Sequence, residues 1–288
     1  MNSRDIRSFL FVPTLKERFV ENAIRSEADA IILDLEDAVA PNEKDRARAH
    51  LAEVSRRLVE AGKRVFVRVN SAPAELCSRD LEAAAASRVE GVVFPKAETV
   101  EQLGAAIATL NSCAAAGRAP LHVIALIESP LGVQNASAIA SIEQVSGLAF
   151  GTEDYAIAVG AEPVEAALHV PAQMMAIAAQ AQGRAAIGIA GSITVVDDVP
   201  AFSHMVRHAR LIGMGGILCV HPRQVDIANR EYTPAPEAVA DAQGVKHAFE
   251  QALQRGDGAV KHAGRMIDIP HYNRALQLLA RAEMYTKR

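Results

Sequence analysis

The sequence predicts a closed (β/α)8 barrel, a TIM barrel, with a helical C-terminal extension. Three observations predict it. Eight short apolar runs, rich in Val, Ile and Phe and not alternating, recur between Phe9 and Val220. Strands buried on both faces read this way, as in an all-parallel sheet. Ala-, Glu- and Arg-rich segments with helical spacing separate the runs, Asp80–Ser87 and Glu101–Leu110 among them. The repeat is roughly 30 residues, the size of a βαβ unit, and eight such units suggest closure.

The runs are Phe9–Pro13, Ala30–Leu35, Val65–Val69, Gly91–Phe94, His122–Ile127, Leu148–Phe150, Ala185–Ile189 and Gly216–Val220. An open doubly wound sheet is the second option. That fold usually shows a Gly-rich turn after its first strand, and here Pro13-Thr14 stands there. Thr233-Pro234-Ala235-Pro236 reads as a linker. Residues 1–232 are therefore expected to form the barrel and 233–288 the extension. The extension reads as a helix, a Gly-rich break near Gly256–Gly258 and a final helix from about Tyr272.

The chain of 288 residues is half hydrophobic and 22% charged, with net charge −4, which suits a large core. Only 4% of residues are aromatic and none is Trp, so stacking platforms for nucleic acid are not expected. Cys77, Cys113 and Cys219 are scattered, with no CxxC or Cys/His cluster. That argues against a disulfide framework and against a zinc site, and for a reducing cytoplasm. The apolar run Phe9–Val12 is too short for a signal sequence, and no run reaches the length of a membrane span.

A barrel active site lies at the C-terminal ends of its strands. There the sequence places Pro13, then Asp34, Glu36 and Asp37, then Arg68 and Asn70, then Lys96, Glu128, Glu153 with Asp154, and His221. After the seventh run come only small groups, Gly188, Gly191, Ser192 and Thr194. Charges at one end of so many strands must be paired, metal-bound or wet. Glu128 and Asp154, read as the ends of neighbouring strands five and six with no His or Cys beside them, suit a hard cation. Mg2+ fits best, with Mn2+ as the other option. The alternative is that one or both pair with Arg68 or Lys96. Arg68 suits a substrate carboxylate, which a guanidinium grips bidentately; an ion pair with Glu36 or Asp37 is compatible with that. Lys96 is read as an anion or ion-pair group rather than a Schiff-base lysine, because nearby carboxylates keep it charged. His221, next to Pro222, reads as structural or substrate-contacting before catalytic. His122 starts a strand and reads as structural, and Met174-Met175 as helix core.

Taken together, the motifs resemble the citrate lyase β-subunit-like (CitE-like) branch of the HpcH/HpaI aldolase superfamily. The resemblance runs from Arg7 to about Asp268. It rests on Arg7-Ser8-Phe9-Leu10-Phe11-Val12-Pro13, Leu33-Asp34-Leu35-Glu36-Asp37-Ala38-Val39, Val67-Arg68-Val69-Asn70, Pro95-Lys96, Ile127-Glu128-Ser129, Phe150-Gly151-Thr152-Glu153-Asp154, His221-Pro222 with Gln224, and Met266-Ile267-Asp268.

The resemblance implies a (β/α)8 enzyme, trimeric or hexameric, that cleaves or forms 3-hydroxyacyl-CoA thioesters such as citramalyl-CoA or malyl-CoA. It implies Glu128 and Asp154 as magnesium ligands and Arg68 on the substrate carboxylate. It puts Glu36 and Asp37 beside the metal-bound water, and Phe11, Pro13 and Arg7 along the thioester arm. The alternatives are an aldolase on free 2-oxo or hydroxy acids, the citryl-CoA lyase subunit of a citrate lyase complex with its partners, and a non-catalytic CoA-ester binding protein. Three departures stand out. Thr14 replaces a Gly, Gly188 lacks the expected acid, and Ala263-Gly264 stands where the resemblance expects Asp-Gly, with His262 as a candidate substitute.

Overall fold

The computed structural model describes residues 3–115 and 117–286. Two compact units emerge, Met1–Asn229 and Arg230–Arg288. The first holds eight parallel strands: β1 Ser8–Pro13, β2 Ala30–Asp34, β3 Arg64–Arg68, β4 Gly91–Phe94, β5 His122–Ile127, β6 Val145–Phe150, β7 Ala185–Ile187 and β8 Ile217–Cys219. They are hydrogen-bonded in the order β7-β6-β5-β4-β3-β2-β1-β8. A bridge between Ile187 and Gly216 completes the ring. The helices are α1 Glu17–Arg25, α2 Lys44–Glu60, α3 Ala74–Ala85, α4 Val100–Ser112, α5 Pro130–Ala140, α6 Thr152–Val159, α7 Glu165–Ala181, α8 Val199–Leu211 and α9 Pro222–Tyr232.

The runs form strands because both of their faces are covered. Every residue of β2 and of β4 is buried. Inside the barrel Phe9, Ile32, Phe66, Val93, Ile124, Leu126 and Ile187 form one cluster, with Phe9 and Phe66 edge-to-face at 5.9 Å. Local caps set where helices start. Ser129 accepts from the Gly132 N–H with Pro130 in the first turn of α5, and Thr99 caps α4 through Gln102 N–H.

β6 begins at Val145, earlier than the run at Leu148, because Ser146 and Gly147 hide the strand's apolar pattern. Met174 corrects the helix-core reading: Met175 is buried, but Met174 is 43% exposed. The second unit is α10 Pro236–Gln254, an antiparallel hairpin of β9 Val260–His262 and β10 Arg265–Ile267, and α11 Ile269–Thr286. Where the sequence shows a Gly-rich break, the chain forms this hairpin, and α11 starts before Tyr272. Two strands of three residues are too short to carry a legible alternation. Ala242, Val245, Phe249, Ile267 and Ala275 form this unit's own small core.

Candidate active site

The C-terminal ends of β1 to β4 carry one continuous charged network. Asp34, the last residue of β2, is buried. It takes Arg68 in a fork, Nε at 2.8 Å and Nη2 at 2.6 Å. It also accepts the Glu36 and Ala38 N–H groups, which bends the chain so that Glu36 and Asp37 face Arg68. Arg68 Nη1 lies 3.1 Å from Glu36 Oε2 and 3.2 Å from Asp37 Oδ2. Phe11 stacks beneath, 4.8 Å from the guanidinium carbon to the ring centre. Burial opposes the Arg68 charge, but the hydrogen bonds and charges of Asp34, then Glu36 and Asp37, keep it protonated above its ordinary range.

A second layer supports this network. Lys44 donates to the Leu35 and Glu36 carbonyls at 2.7 and 2.6 Å and to Asn70 Oδ1 at 2.9 Å. Asn70 donates through its backbone N–H to Asp80 Oδ2 at 2.8 Å, and fully buried Asp80 is held by Arg48 at 2.7 Å. The sequence carried no signal for Lys44, Arg48 or Asp80, which sit on helices among many exposed charges. Asp34 was legible as a strand end, but its ownership of the Arg68 fork was not.

Lys96 links the network to the next strands. Its backbone has φ +51°, rare for a side chain of this size, and its N–H donates to Glu128 Oε2 at 2.8 Å. Its Nζ donates to Glu36 Oε1 at 2.5 Å. Burial lowers the affinity of Lys96 for its proton, but Glu36 outweighs it and the pKa is raised. A lysine held this firmly as the cation is a poor Schiff-base nucleophile.

Glu128 and Asp154 contrast with that network. Glu128 is 6% exposed, and burial, with Glu36 and Asp154 charge adding to it, pushes its carboxyl up to about 8. Only its Oε2 is hydrogen-bonded. Gly151 makes room for it: a Cβ there would lie 2.5 Å from Glu128 Cγ. Asp154 is placed by the first turn of α6 rather than by β6 itself, and it makes no ion pair among the described residues. Both line a cavity of about 430 Å3 with Ser71, Lys96, Glu98 and Ser129. Its neighbour Glu153 turns away, accepting from Ser192 Oγ at 2.6 Å and Ile193 N–H at 3.1 Å.

Hard oxygen donors that make no ion pair among the described residues fit a divalent metal such as Mg2+, which keeps several waters. Among the described residues no three His, Cys, Asp or Glu side chains close around one point, so protein groups would fill only part of its coordination sphere.

One sequence expectation lands elsewhere. Arg7 is a correction. It precedes β1, at the opposite end of the barrel, with Nε and Nη2 on Asp29 at 2.9 and 2.8 Å. The likeness of the surrounding motif concealed that it starts the strand rather than ends it. His221 lies at the mouth, and its Nδ1 accepts the Arg223 N–H at 3.2 Å, a capping contact in line with the structural reading. Fully buried Gln224 accepts from Val220 and His221 N–H and donates to the Ile193 and Val195 carbonyls, tying the segments after β7 and β8 together.

Comparison with known proteins decides the lineage. Residues 7–222 match the family model described as HpcH/HpaI aldolase/citrate lyase. The chain belongs to this family. It is 33% identical to a (3S)-malyl-CoA thioesterase of Cereibacter sphaeroides over 96% of this chain and 94% of that protein. It is equally 33% identical to citrate lyase subunit beta of Escherichia coli, over 98% of this chain and 95% of that one. Among solved structures it resembles CitE of Mycobacterium tuberculosis in complex with magnesium, acetoacetate and coenzyme A. The TM-score is 0.75 and the identity 30%, covering 96% of this chain and 97% of that one.

Two of the departures from the HpcH/HpaI family pattern, Thr14 and Gly188, have local explanations, and Ala263 has none. Thr14, buried, donates to the Asp34 carbonyl at 2.8 Å and so fixes β1 against β2 below the Arg68 fork. Gly188 has φ +144°, and a Cβ there would sit 3.1 Å from the Phe150 Cβ, so this position has no room for an acid. Ala263 occupies the hairpin turn at φ +45°, and Gly264 follows at +77°. Asn, Asp or Gly suits such a turn better than Ala.

Proposed function

We propose that this HpcH/HpaI family member is a magnesium-dependent carbon–carbon lyase acting on a 3-hydroxyacyl-CoA of the citramalyl-CoA or malyl-CoA type. The products are a 2-oxo acid and acetyl-CoA. The observation that carries this reading is buried Glu128, its carboxyl raised, lining the cavity with Asp154, which is unpaired among the described residues, beside the ion-paired network around Arg68. The magnesium and coenzyme A bound by the M. tuberculosis relative support it.

In this reading Glu128 and Asp154 would hold the ion, and the chemistry it would supply is to make a substrate hydroxyl more acidic. Asp34 occupies the Nε and Nη2 edge of Arg68, so a substrate carboxylate takes Nη1 in place of exposed Asp37. Fixing that carboxylate fixes the bond to be broken. Glu36, with a pKa raised by burial, accepts the hydroxyl proton directly or through water, while Lys96 and Arg68 hold its carboxylate in the charged, accepting form beforehand. The electrons of the broken C–C bond pass to the departing thioester enolate, which takes up a proton from Glu36 or from solvent to give acetyl-CoA. Phe11 and Pro13 border the entry to this side of the mouth.

We also infer a homo-oligomer, trimer or hexamer, in the cytoplasm. The outward face of α7 carries exposed Val170, Met174 and Ile177, and the cysteines are free thiols. No described helix is long and apolar enough to cross a membrane.

The test is purified protein with Mg2+ and racemic citramalyl-CoA or malyl-CoA, following acetyl-CoA and 2-oxo acid, beside Glu128→Ala. Magnesium-dependent cleavage lost in the variant is the expected result. Free CoA and hydroxy acid without a 2-oxo acid would replace cleavage by thioester hydrolysis. Turnover of the free acids without CoA would replace it by aldolase chemistry.

A further inference from the structure

Away from the barrel mouth, three imidazoles and a carboxylate gather on the helical shell. α7 carries Glu165 and His169, and α8 carries His204 and His208, each pair four residues apart and so on one helical face. His208 Nδ1 lies 3.5 Å from Glu165 Oε1, and His204 Nδ1 lies 3.9 Å from Glu165 Oε2. On the far side of its ring, His208 Nε2 lies 2.8 Å from His169 Nδ1. The His204 and His208 rings stack at 6.5 Å. The lyase reaction uses none of these groups.

We propose that Glu165, His204 and His208 form a binding site for a zinc-like transition-metal ion, a clasp between α7 and α8, with His169 orienting His208. Ligand atoms about 2.0–2.1 Å from a tetrahedral zinc lie about 3.3 Å from one another. The two nitrogen–oxygen separations, 3.5 and 3.9 Å, are already near that value. The set is open as it stands. The His204 side chain is 65% exposed, so its ring has room to turn toward the other two groups.

The proton bookkeeping is consistent. A neutral His208 that gives its Nδ1 lone pair to the ion keeps a proton on Nε2 and donates it to His169 Nδ1. That is the outer hydrogen bond that metal-bound histidines usually make. Two imidazoles and one carboxylate favour zinc, copper or nickel over magnesium.

Position gives the site a purpose. β7 and β8 have three residues each, and they meet at a single bridge, Ile187 with Gly216, with backbone bonds from Gly188 N–H to Gly216 and Gly215 N–H to Ala186. α7 leads into β7 and α8 into β8. An ion joining these helices braces the thinnest seam of the barrel from outside.

The experiment uses chelator-stripped full-length protein, titrated with Zn2+ against a chromophoric competitor and melted with and without Zn2+ or Mg2+. The variants are His204→Ala and Glu165→Gln, both at exposed groups, with Glu128→Ala as the control at the catalytic cavity. We expect one zinc-binding event weakened about tenfold or more in either clasp variant and unchanged in Glu128→Ala. Zinc, and not magnesium, raises the melting midpoint of the wild type, and His204→Ala abolishes that rise. Equal zinc affinity in wild type and both clasp variants overturns the proposal, as does zinc binding that disappears only in Glu128→Ala.

Discussion

The two sides of the barrel mouth follow opposite electrostatic plans. On the side of β1 to β3, Arg68, Asp34, Glu36, Lys44, Asn70, Asp80 and Arg48 are engaged with one another or with backbone carbonyls. On the side of β5 and β6, Glu128 has one backbone partner and Asp154 has none among the described residues. The first side is finished by the protein and acts as a rigid template. The second is left incomplete, and an unpaired buried carboxylate is stable only as the neutral acid or with a cation. A single chain thus separates the group that positions substrate from the groups that recruit an ion.

That contrast can be broken first at Glu128. Glu128→Ala should lower kcat/KM for CoA-ester cleavage by about three orders of magnitude, since metal electrostatics supply several kcal/mol. The fold should survive, read by circular dichroism; an active variant would remove Glu128 from the chemistry. Arg68→Ala breaks the finished side instead. It strands Asp34, 2% exposed, and should cost roughly 3–5 kcal/mol in denaturant unfolding. A cost below ~1 kcal/mol would mean that Asp34 finds water and the template is not rigid.

The pH response sharpens the comparison. The folded carboxyl of Glu128 titrates near 8, above its ordinary value of 4.5. Between those values the folded, metal-free protein holds a proton that the unfolded chain has lost. Its stability contribution from this group is therefore full below about 4.5 and declines as pH rises toward about 8. Melts of chelator-treated protein should show this decline relative to Glu128→Gln, and magnesium affinity should rise over the same range. Parallel curves for the two proteins would refute it.

Smaller effects follow. Gly151→Ala puts a Cβ onto Glu128 and should cost about 1–3 kcal/mol while weakening magnesium binding, measured by calorimetry. Unchanged affinity would show that Glu128 can shift freely. In the second unit, Ala263→Asn relieves a left-handed Ala and should stabilise the protein by about 1 kcal/mol in urea. A loss of stability there would point to a role for the methyl group that the hairpin does not reveal.

The sequence by itself determined the barrel, because strands covered on both faces must be continuously apolar and the chain has eight of them at regular spacing. It also placed Arg68, Lys96, Glu128 and Asp154 at one mouth, because the ends of parallel strands share one face. Its local pattern missed the β9–β10 hairpin, and the resemblance put Arg7 along the thioester arm although it precedes β1. Only the tertiary structure decided which acid belongs to which cation. Asp34 rather than a substrate fills the Arg68 fork, Glu153 turns to Ser192 while Asp154 stays free, and Glu165 meets the histidines of α8. Pairing depends on distance and burial between residues tens of positions apart, and a carboxylate reads the same in the sequence whether it is neutralised, buried or waiting for an ion.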